Sequence, residues 1–197
     1  MKIAVLKERA SGETRVAATP ETIKKFAGLG NDMAVETGAG AAAAISDEAY
    51  TDAGATVGSA ADVAKDADIV LGIQAPDVAL LKGAKPGAWV AALFDPFSKG
   101  DVVEAYAKAG LEALSMEFMP RITRAQSMDV LSSQSNLSGY KAVLAAADTY
   151  GRAFPMMMTA AGTVQAARCF IMGVGVAGLQ AIATARRLGA QVSATDV

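Results

Sequence analysis

The segment 168–196 constrains the fold of this chain most strongly, because it combines strand, turn, helix and strand patterns in one short stretch. The apolar run 169–172 has the length of a buried parallel strand. A helical pattern follows over 176–188, and Gly189 stands just past its end, as is typical of a helix C-terminus. A second strand is predicted over 191–195, so the segment has the order of a βαβ unit.

Three glycines and one acid give this unit the pattern of a dinucleotide site. Gly173, Gly175 and Gly178 have G-x-G-x-x-G spacing. The first permits a tight turn, the second lets a pyrophosphate approach the backbone, and the third packs the helix against the strand. The free N–H groups of the helix N-terminus, beginning at Val176, can donate to the anion. Asp196 can accept from a ribose 2′-hydroxyl and would repel a 2′-phosphate. An ordinary glycine-rich turn is the alternative, but it leaves the position of Asp196 to chance.

The composition is that of a globular protein and excludes several classes of function. Of the 197 residues, 52% are apolar and 19% are charged, with a net charge of −2, which suits one large domain or two small ones. The balanced charge and the 6% of aromatic residues argue against binding to nucleic acid. The absence of histidine excludes Ser-His and Cys-His pairs, and we predict no metal site. The single cysteine, Cys169, is predicted to be an inert buried thiol in a reducing cytosol.

No stretch predicts secretion or membrane insertion. The N-terminus lacks the apolar core of a signal peptide. The weakly charged stretch 153–185 is divided by Pro155 and several glycines into pieces shorter than the roughly 20 residues of a spanning helix. We therefore expect the chain itself to be soluble.

Strand and helix patterns alternate through the first 120 residues, which predicts a parallel sheet covered on both faces. Strands are predicted over 3–6, 33–36, 67–74, 89–94 and 111–116. Helices are predicted from Pro20 with Thr19 as N-cap, and over 46–53, 60–65 and 98–109.

The pattern changes after Pro120, where a polar loop leads into a long helix over 132–151. On one side of that helix we predict an apolar face formed by Leu137, Tyr140, Val143 and Leu144. The three methionines 156–158 are predicted to pack against a neighbouring helix.

The predicted fold is α/β, with two Rossmann-like parallel-sheet units joined by a long helix. We place the first α/β domain at 1–120, the loop and linking helix at 121–151, and the start of the nucleotide-binding domain at 152–197. A dinucleotide fold has five or six parallel strands and this domain has two, so we expect the second unit to be incomplete in this chain.

Four stretches make the sequence similar to the alanine dehydrogenase and transhydrogenase family, and most similar to its transhydrogenase branch. They are K-E-R…G-E-T-R-V-A-A-T-P, M-P-R-I-T-R-A-Q-S-M-D-V-L-S-S-Q-S-N-L-S-G-Y-K-A-V, F-P-M-M-M-T-A-A-G-T and G-V-G-V-A-G-L-Q-A-I-A-T-A-R-R-L-G-A-Q-V-S-A-T-D. The resemblance covers residues 1–197, and the central loop is its most specific portion. The NAD(H)-binding domain of the family continues well beyond this length, so the resemblance implies its N-terminal half.

The resemblance implies hydride transfer from NADH, bound here, to NADP⁺ on a separate domain, with a membrane component that couples the exchange to proton movement. It also implies a homodimer and a cytoplasmic location, peripheral to the inner membrane through partner subunits. Residues that surround the nicotinamide in the family match Arg121, Gln126 and Asp129, and a loop serine matches Ser132. The neighbouring Ile122, Thr123 and Arg124 are expected to contribute to the same cofactor site.

The sequence departs from the alanine dehydrogenase branch at the groups that hold and protonate a keto acid. A lysine and a histidine of that branch match Gln74 and Phe94 here, which makes amino-acid oxidation an unfavoured interpretation. Arg15 matches the arginine for the substrate carboxylate, and we expect it to form a structural ion pair instead. Two alternatives stay open: a dehydrogenase that has moved its acid elsewhere, and a nucleotide-binding fragment without catalysis.

Overall fold

A computed structural model of the chain describes residues 1–197 and divides into two compact units, Met1–Met119 and Pro120–Val197. Each unit has its own parallel strand pairs and its own apolar core.

The first unit is built around a six-stranded parallel sheet. Its elements in chain order are β1 (Lys2–Val5), α1 (Pro20–Gly28), β2 (Asp32–Glu36), α2 (Asp47–Asp52), β3 (Thr56–Gly58), α3 (Ala60–Ala64), β4 (Ile69–Gln74), β5 (Trp89–Leu93), α4 (Gly100–Lys108) and β6 (Glu112–Ser115). Neighbouring strands all pair in parallel, in the order β3-β2-β1-β4-β5-β6. This is the strand order of a doubly wound Rossmann fold, so the predicted α/β class is confirmed.

The central strand β1 shows why the sheet is covered on both faces. Ile3 and Val5 belong to one buried apolar cluster, whereas Ala4 and Leu6 belong to the other. Successive side chains of a strand point to opposite faces, so a continuous apolar run has to be buried on both.

Side-chain caps fix where two helices of this unit begin. Thr19 accepts from the Thr22 amide at 3.4 Å, and Pro20 opens α1 as predicted. Ser46 accepts from the Ala49 amide at 3.3 Å and opens α2. The three-residue edge strand β3 was not predicted, because its sequence Thr-Val-Gly has no apolar run to mark it.

The second unit contains a parallel strand pair, a hairpin and two long helices. Its elements are α5 (Val130–Thr149), β7 (Met157–Thr159), β8 (Gly162–Val164), β9 (Arg168–Met172), α6 (Val176–Arg187) and β10 (Gln191–Thr195). Strands β9 and β10 pair in parallel from Arg168 opposite Gln191 to Met172 opposite Thr195, which confirms the predicted βαβ unit. None of the helices has the length and apolar character required to cross a membrane.

The buried face of α5 differs from the predicted one. Gly139 and Val143 are buried, but Leu137 and Tyr140 are 60% and 46% exposed. The prediction of an apolar side at 137–144 was therefore wrong for these two residues. A helix turns about 100° per residue, so packing through Gly139 rotates Leu137 and Tyr140 away from the core.

The three methionines do not pack against a helix either. They lie at and before strand β7, in an antiparallel hairpin with β8, and Met156, Met157 and Met158 are 57%, 46% and 76% exposed. The packing predicted for them was wrong, because a short hairpin with two uncovered faces presents every side chain to solvent.

Candidate functional site

The glycine turn after β9 has the geometry that its spacing predicts. Gly173 has φ +93°, a conformation that side chains rarely tolerate. A β-carbon on Gly178 would lie 2.8 Å from the carbonyl carbon of Gly173, so only glycine lets α6 start this close to the turn. A β-carbon on Gly175 would meet no heavy atom within 4 Å. Gly175 thus faces open space, where a ligand can approach the backbone.

The N-terminus of α6 is open to an anion. Gly175 occupies the N-cap position, no side chain caps the helix, and its first turn contains no acid. The first N–H groups of a helix lack partners within the helix, and the helix dipole favours negative charge there. The N–H groups of Val176, Ala177 and Gly178 are therefore available as donors.

The N-termini of α5 and α6 open on the same pocket of about 350 Å³. The two helices lie side by side in the same direction: Gly139 meets Ala177 near the start of α6, and Val143 shares a buried cluster with Ala181 and Ala185 further along. The pocket is lined by Arg121, Leu131, Ser132, Ser135, Met172, Gly173, Gly175, Val176, Ala177 and Gly178. All of these residues belong to the second unit.

Asp129 caps α5 with both oxygens of its carboxylate. Oδ1 accepts from the amides of Leu131 at 3.1 Å and Ser132 at 2.9 Å, and Oδ2 accepts from the Ser132 hydroxyl at 2.6 Å. The Ser132 hydroxyl, followed by the backbone donors, lowers the pKa of Asp129 below its usual value. Asp129 thus holds the hydroxyl of Ser132 at the pocket, a role that the sequence did not predict.

The remaining loop residues are less closely associated with the pocket. Residues Thr123–Met128 form a 3₁₀ helix. Ile122, Thr123, Arg124 and Gln126 are exposed and do not line the pocket. Of the predicted loop residues, the structure brings Arg121 and Ser132 to the glycine turn.

Asp196 lies at the carboxyl end of β10 and is bonded to the glycine turn. Its Oδ2 accepts from the Val174 amide at 2.7 Å, and its Oδ1 accepts from the Val197 amide at 2.9 Å. The bond from Val174 is the largest cause of its lowered pKa. The carboxylate is therefore ionised at neutral pH and next to the turn.

These donors fit a dinucleotide. The open backbone at Gly175, the uncapped start of α6 and the Arg121 guanidinium suit a pyrophosphate, and ionised Asp196 suits a ribose hydroxyl. A pocket of this volume is at the lower end of the range for small-molecule sites and accommodates a portion of a dinucleotide.

In the first unit, Arg15 forms the ion pair predicted for it. Its Nε and Nη2 donate to the two oxygens of Glu13 at 2.7 and 2.6 Å, and Gln74 Nε2 donates to Glu13 Oε2 at 3.4 Å. The Arg15 side chain is the largest cause that lowers the pKa of Glu13 to about 2. Phe94 is buried, with its ring centroid 4.9 Å from that of Tyr106. Neither Gln74 nor Phe94 can act as an acid toward a carbonyl.

Glu8 is a structural residue that no pattern in the sequence singles out. Its two oxygens accept from the amides of Ile73 at 2.6 Å and Gln74 at 3.2 Å, where the register of β4 against β5 shifts. Burial, its largest cause, raises the pKa of Glu8. Ser135 was also missed, although its spacing of three residues from Ser132 places both on one helix face.

Two family models together match most of the chain. The N-terminal domain of alanine dehydrogenase/PNT matches residues 4–138, and the C-terminal domain of alanine dehydrogenase/PNT matches residues 142–197.

Three known proteins illustrate the similarity. An NAD(P) transhydrogenase subunit alpha of Rhodospirillum rubrum is 55% identical over all of this chain and 53% of its own length. A solved structure of transhydrogenase from Sinorhizobium meliloti superposes with a TM-score of 0.95 at 57% identity, over 99% of this chain and 58% of that one. The alanine dehydrogenase of Halomonas elongata is 30% identical over all of this chain and 53% of its own length.

The chain thus spans about half the length of the curated relatives it matches. The family models cover both units, the transhydrogenase relatives are the more similar ones, and the glycine turn has its expected geometry. The chain belongs to the alanine dehydrogenase/PNT family.

Proposed function

We propose that the chain is the NAD(H)-binding portion of a proton-translocating NAD(P) transhydrogenase of the Si/Re-specific type. The observation that carries the proposal is the glycine turn, where Gly175 faces open space beside the uncapped start of α6. The 55% identity to a transhydrogenase alpha subunit supports this branch of the family over the dehydrogenase branch.

In this proposal the nicotinamide lies against the loop that precedes α5. Bound NADH supplies a hydride, and its transfer to a second nicotinamide needs no acid or base at the reacting carbons. The loop residues therefore act by positioning. Arg121 donates to a phosphate or a carboxamide oxygen, Gln126 donates and accepts at the exposed side, and Asp129 holds Ser132 in place.

The preference for NADH over NADPH is assigned to Asp196. The carboxylate lies next to the turn, and its lowered pKa keeps it ionised. It would accept from the adenosine ribose and repel a 2′-phosphate.

The second nucleotide, NADP(H), is assigned to a partner domain, and proton movement to a membrane-embedded partner. In this arrangement the chain works at the cytoplasmic face of the inner membrane, held there by its partners. A second copy of the chain completes a homodimer, which the exposed methionine hairpin supports as a contact surface.

The first unit supports this assignment over amino-acid oxidation. Arg15 is neutralised by Glu13, Gln74 is bonded to the same carboxylate, and Phe94 is in the core. No group at these positions can both hold a keto acid and protonate its carbonyl.

Hydride exchange tests the proposal. The chain is mixed with an NADP(H)-binding transhydrogenase domain, and the reduction of an NAD⁺ analogue by NADPH is followed spectroscopically. We expect exchange only when both proteins are present, together with tighter binding of NADH than of NADPH to the chain alone. A full-length transhydrogenase alpha subunit, assayed with the same partner domain, calibrates the rate.

Each other outcome identifies a different function. NADH binding without any exchange would contradict the proposal and favour a nucleotide-binding module. Reduction of pyruvate with ammonia and NADH would favour an amino-acid dehydrogenase.

A further inference from the structure

Ser135 lies on the face of α5 that meets the start of α6. It follows Ser132 by three residues and precedes Gly139, which contacts Ala177, by four. Four residues of helix span about 6 Å along the axis. Since the two helices run in the same direction, Ser135 is displaced from that contact toward the pocket, in front of the first turn of α6.

The hydroxyl of Ser135 is uncommitted, unlike those of its neighbours. Ser132 donates to Asp129 at 2.6 Å, and Ser133 donates to the Val130 carbonyl at 3.1 Å. Ser135 is half-buried, lines the pocket, and makes no side-chain hydrogen bond within the chain. A half-buried hydroxyl without a partner in a pocket is available to a ligand.

The groups around this hydroxyl favour an anion. Across the pocket lie the N–H groups at the start of α6, and Arg121 adds a cation. A serine hydroxyl that donates to an anion forms a charge-assisted bond, which is stronger than a neutral one.

We propose that Ser135 is a cofactor-binding residue whose hydroxyl donates to the pyrophosphate of the dinucleotide at the N-terminus of α6. The proposal rests on the proposed function only in taking this pocket as the dinucleotide site. It adds a contact from α5 to those of the glycine turn, so that the pyrophosphate is held from both sides.

The test is the binding of two ligands to the full chain carrying Ser135→Ala. NADH is titrated by its fluorescence, and ADP-ribose, which has the pyrophosphate but lacks the nicotinamide, is titrated by displacement of NADH. We expect the Kd of both to rise roughly tenfold, the size of one hydrogen bond to a charged group. Alanine is a better helix former than serine, so the variant keeps α5, which circular dichroism checks.

Ser138→Ala is the matched control, because it removes an exposed hydroxyl from the same helix. Its Kd values should stay within about twofold of those of the unmodified chain, well below the effect of one lost hydrogen bond. Unchanged binding of both ligands to Ser135→Ala would overturn the proposal, and so would weaker binding of NADH with unchanged binding of ADP-ribose. If the unmodified chain binds neither ligand, the proposed function fails first and Ser135 loses its role with it.

Discussion

A β-carbon added at Gly178 would lie 2.8 Å from the carbonyl carbon of Gly173, whereas one added at Gly175 would meet no heavy atom within 4 Å. Gly178 is therefore required by packing within the chain. Gly175 has no such requirement, and its backbone conformation suits any residue. The open space at Gly175 is consistent with a ligand that comes close to the backbone.

This difference gives a paired prediction. Gly178→Ala should lower the free energy of unfolding by about 1–3 kcal/mol, because the added carbon overpacks the turn. Gly175→Ala should leave the melting temperature unchanged and weaken NADH binding at least tenfold, because the methyl group occupies the space of the pyrophosphate. Thermal denaturation and NADH titration of both variants measure these effects. Normal NADH binding by Gly175→Ala would show that no ligand approaches the turn closely.

Glu13 gives the first unit a defined response to acid. Its pKa is lowered to about 2, chiefly by hydrogen bonds from Arg15, against an ordinary value of 4.5. A lowered pKa means that the folded state binds its proton less readily than the unfolded chain. The stabilisation is present above pH 4.5 and is lost as the pH falls toward 2.

We expect the pair to contribute about 1–2 kcal/mol at neutral pH, less than the full shift implies, because the Arg15 side chain is 37% exposed and solvent screens it. Urea denaturation at several pH values measures the contribution. The unmodified chain should lose this excess stability over Glu13→Gln between pH 4.5 and 2. A constant difference between the two chains across that window would contradict the assignment.

Local chemistry predicted several of these residues. The glycine spacing, the N-cap at Thr19 and the ion pair of Arg15 depend on neighbours close in sequence or on fixed backbone requirements. Glu8 could not be found this way, because its partners in β4 are far away along the chain. Its role exists only once the sheet has formed.

At the scale of elements, the contact between α5 and α6 sets the width of the candidate site. A β-carbon on Gly139 would lie 2.9 Å from the carbonyl carbon of Ala177. The helices approach this closely only because residue 139 has no side chain, which brings Ser132 and Ser135 to the glycine turn.

Gly139→Ala should therefore destabilise the second unit by about 1–3 kcal/mol and weaken NADH binding, since α5 has to move away from α6. The sign of the stability change is informative. Alanine favours an exposed helix over glycine by about 1 kcal/mol, so a more stable variant would mean that the two helices are not in contact. Asn136→Ala, at an exposed position of the same helix, is the control and should be neutral or slightly stabilising. Chemical denaturation and NADH titration measure both effects.

The sequence predicted that α5 exists, but not which face it buries. Leu137 and Tyr140 are the larger apolar residues, yet the packing follows Gly139 and Val143. Apolar periodicity ranks side chains by size and polarity, so it cannot detect a contact that depends on a missing side chain.

At the scale of the whole molecule, the alternation of strands and helices predicted the parallel sheet of the first unit, since parallel strands need helical crossovers. The hairpin of β7 and β8 was not predicted. Its strands have three residues each, both are exposed along their full length, and Met158 and Val164 are 76% and 44% exposed. A two-stranded hairpin is at best marginally stable alone in water, and its open edges can pair with another chain.

We therefore expect the hairpin to be buried when two copies of the chain associate. Met158→Lys combined with Val164→Lys should weaken the dimer at least tenfold, because two charges would be desolvated in an apolar contact. Sedimentation velocity over a concentration series measures the dissociation constant. Ala145→Lys, which adds a charge at an exposed position of α5, is the control and should leave the constant unchanged. A chain that stays monomeric at every concentration would exclude a homodimer through this hairpin, and an unchanged constant in the double variant would place the interface elsewhere.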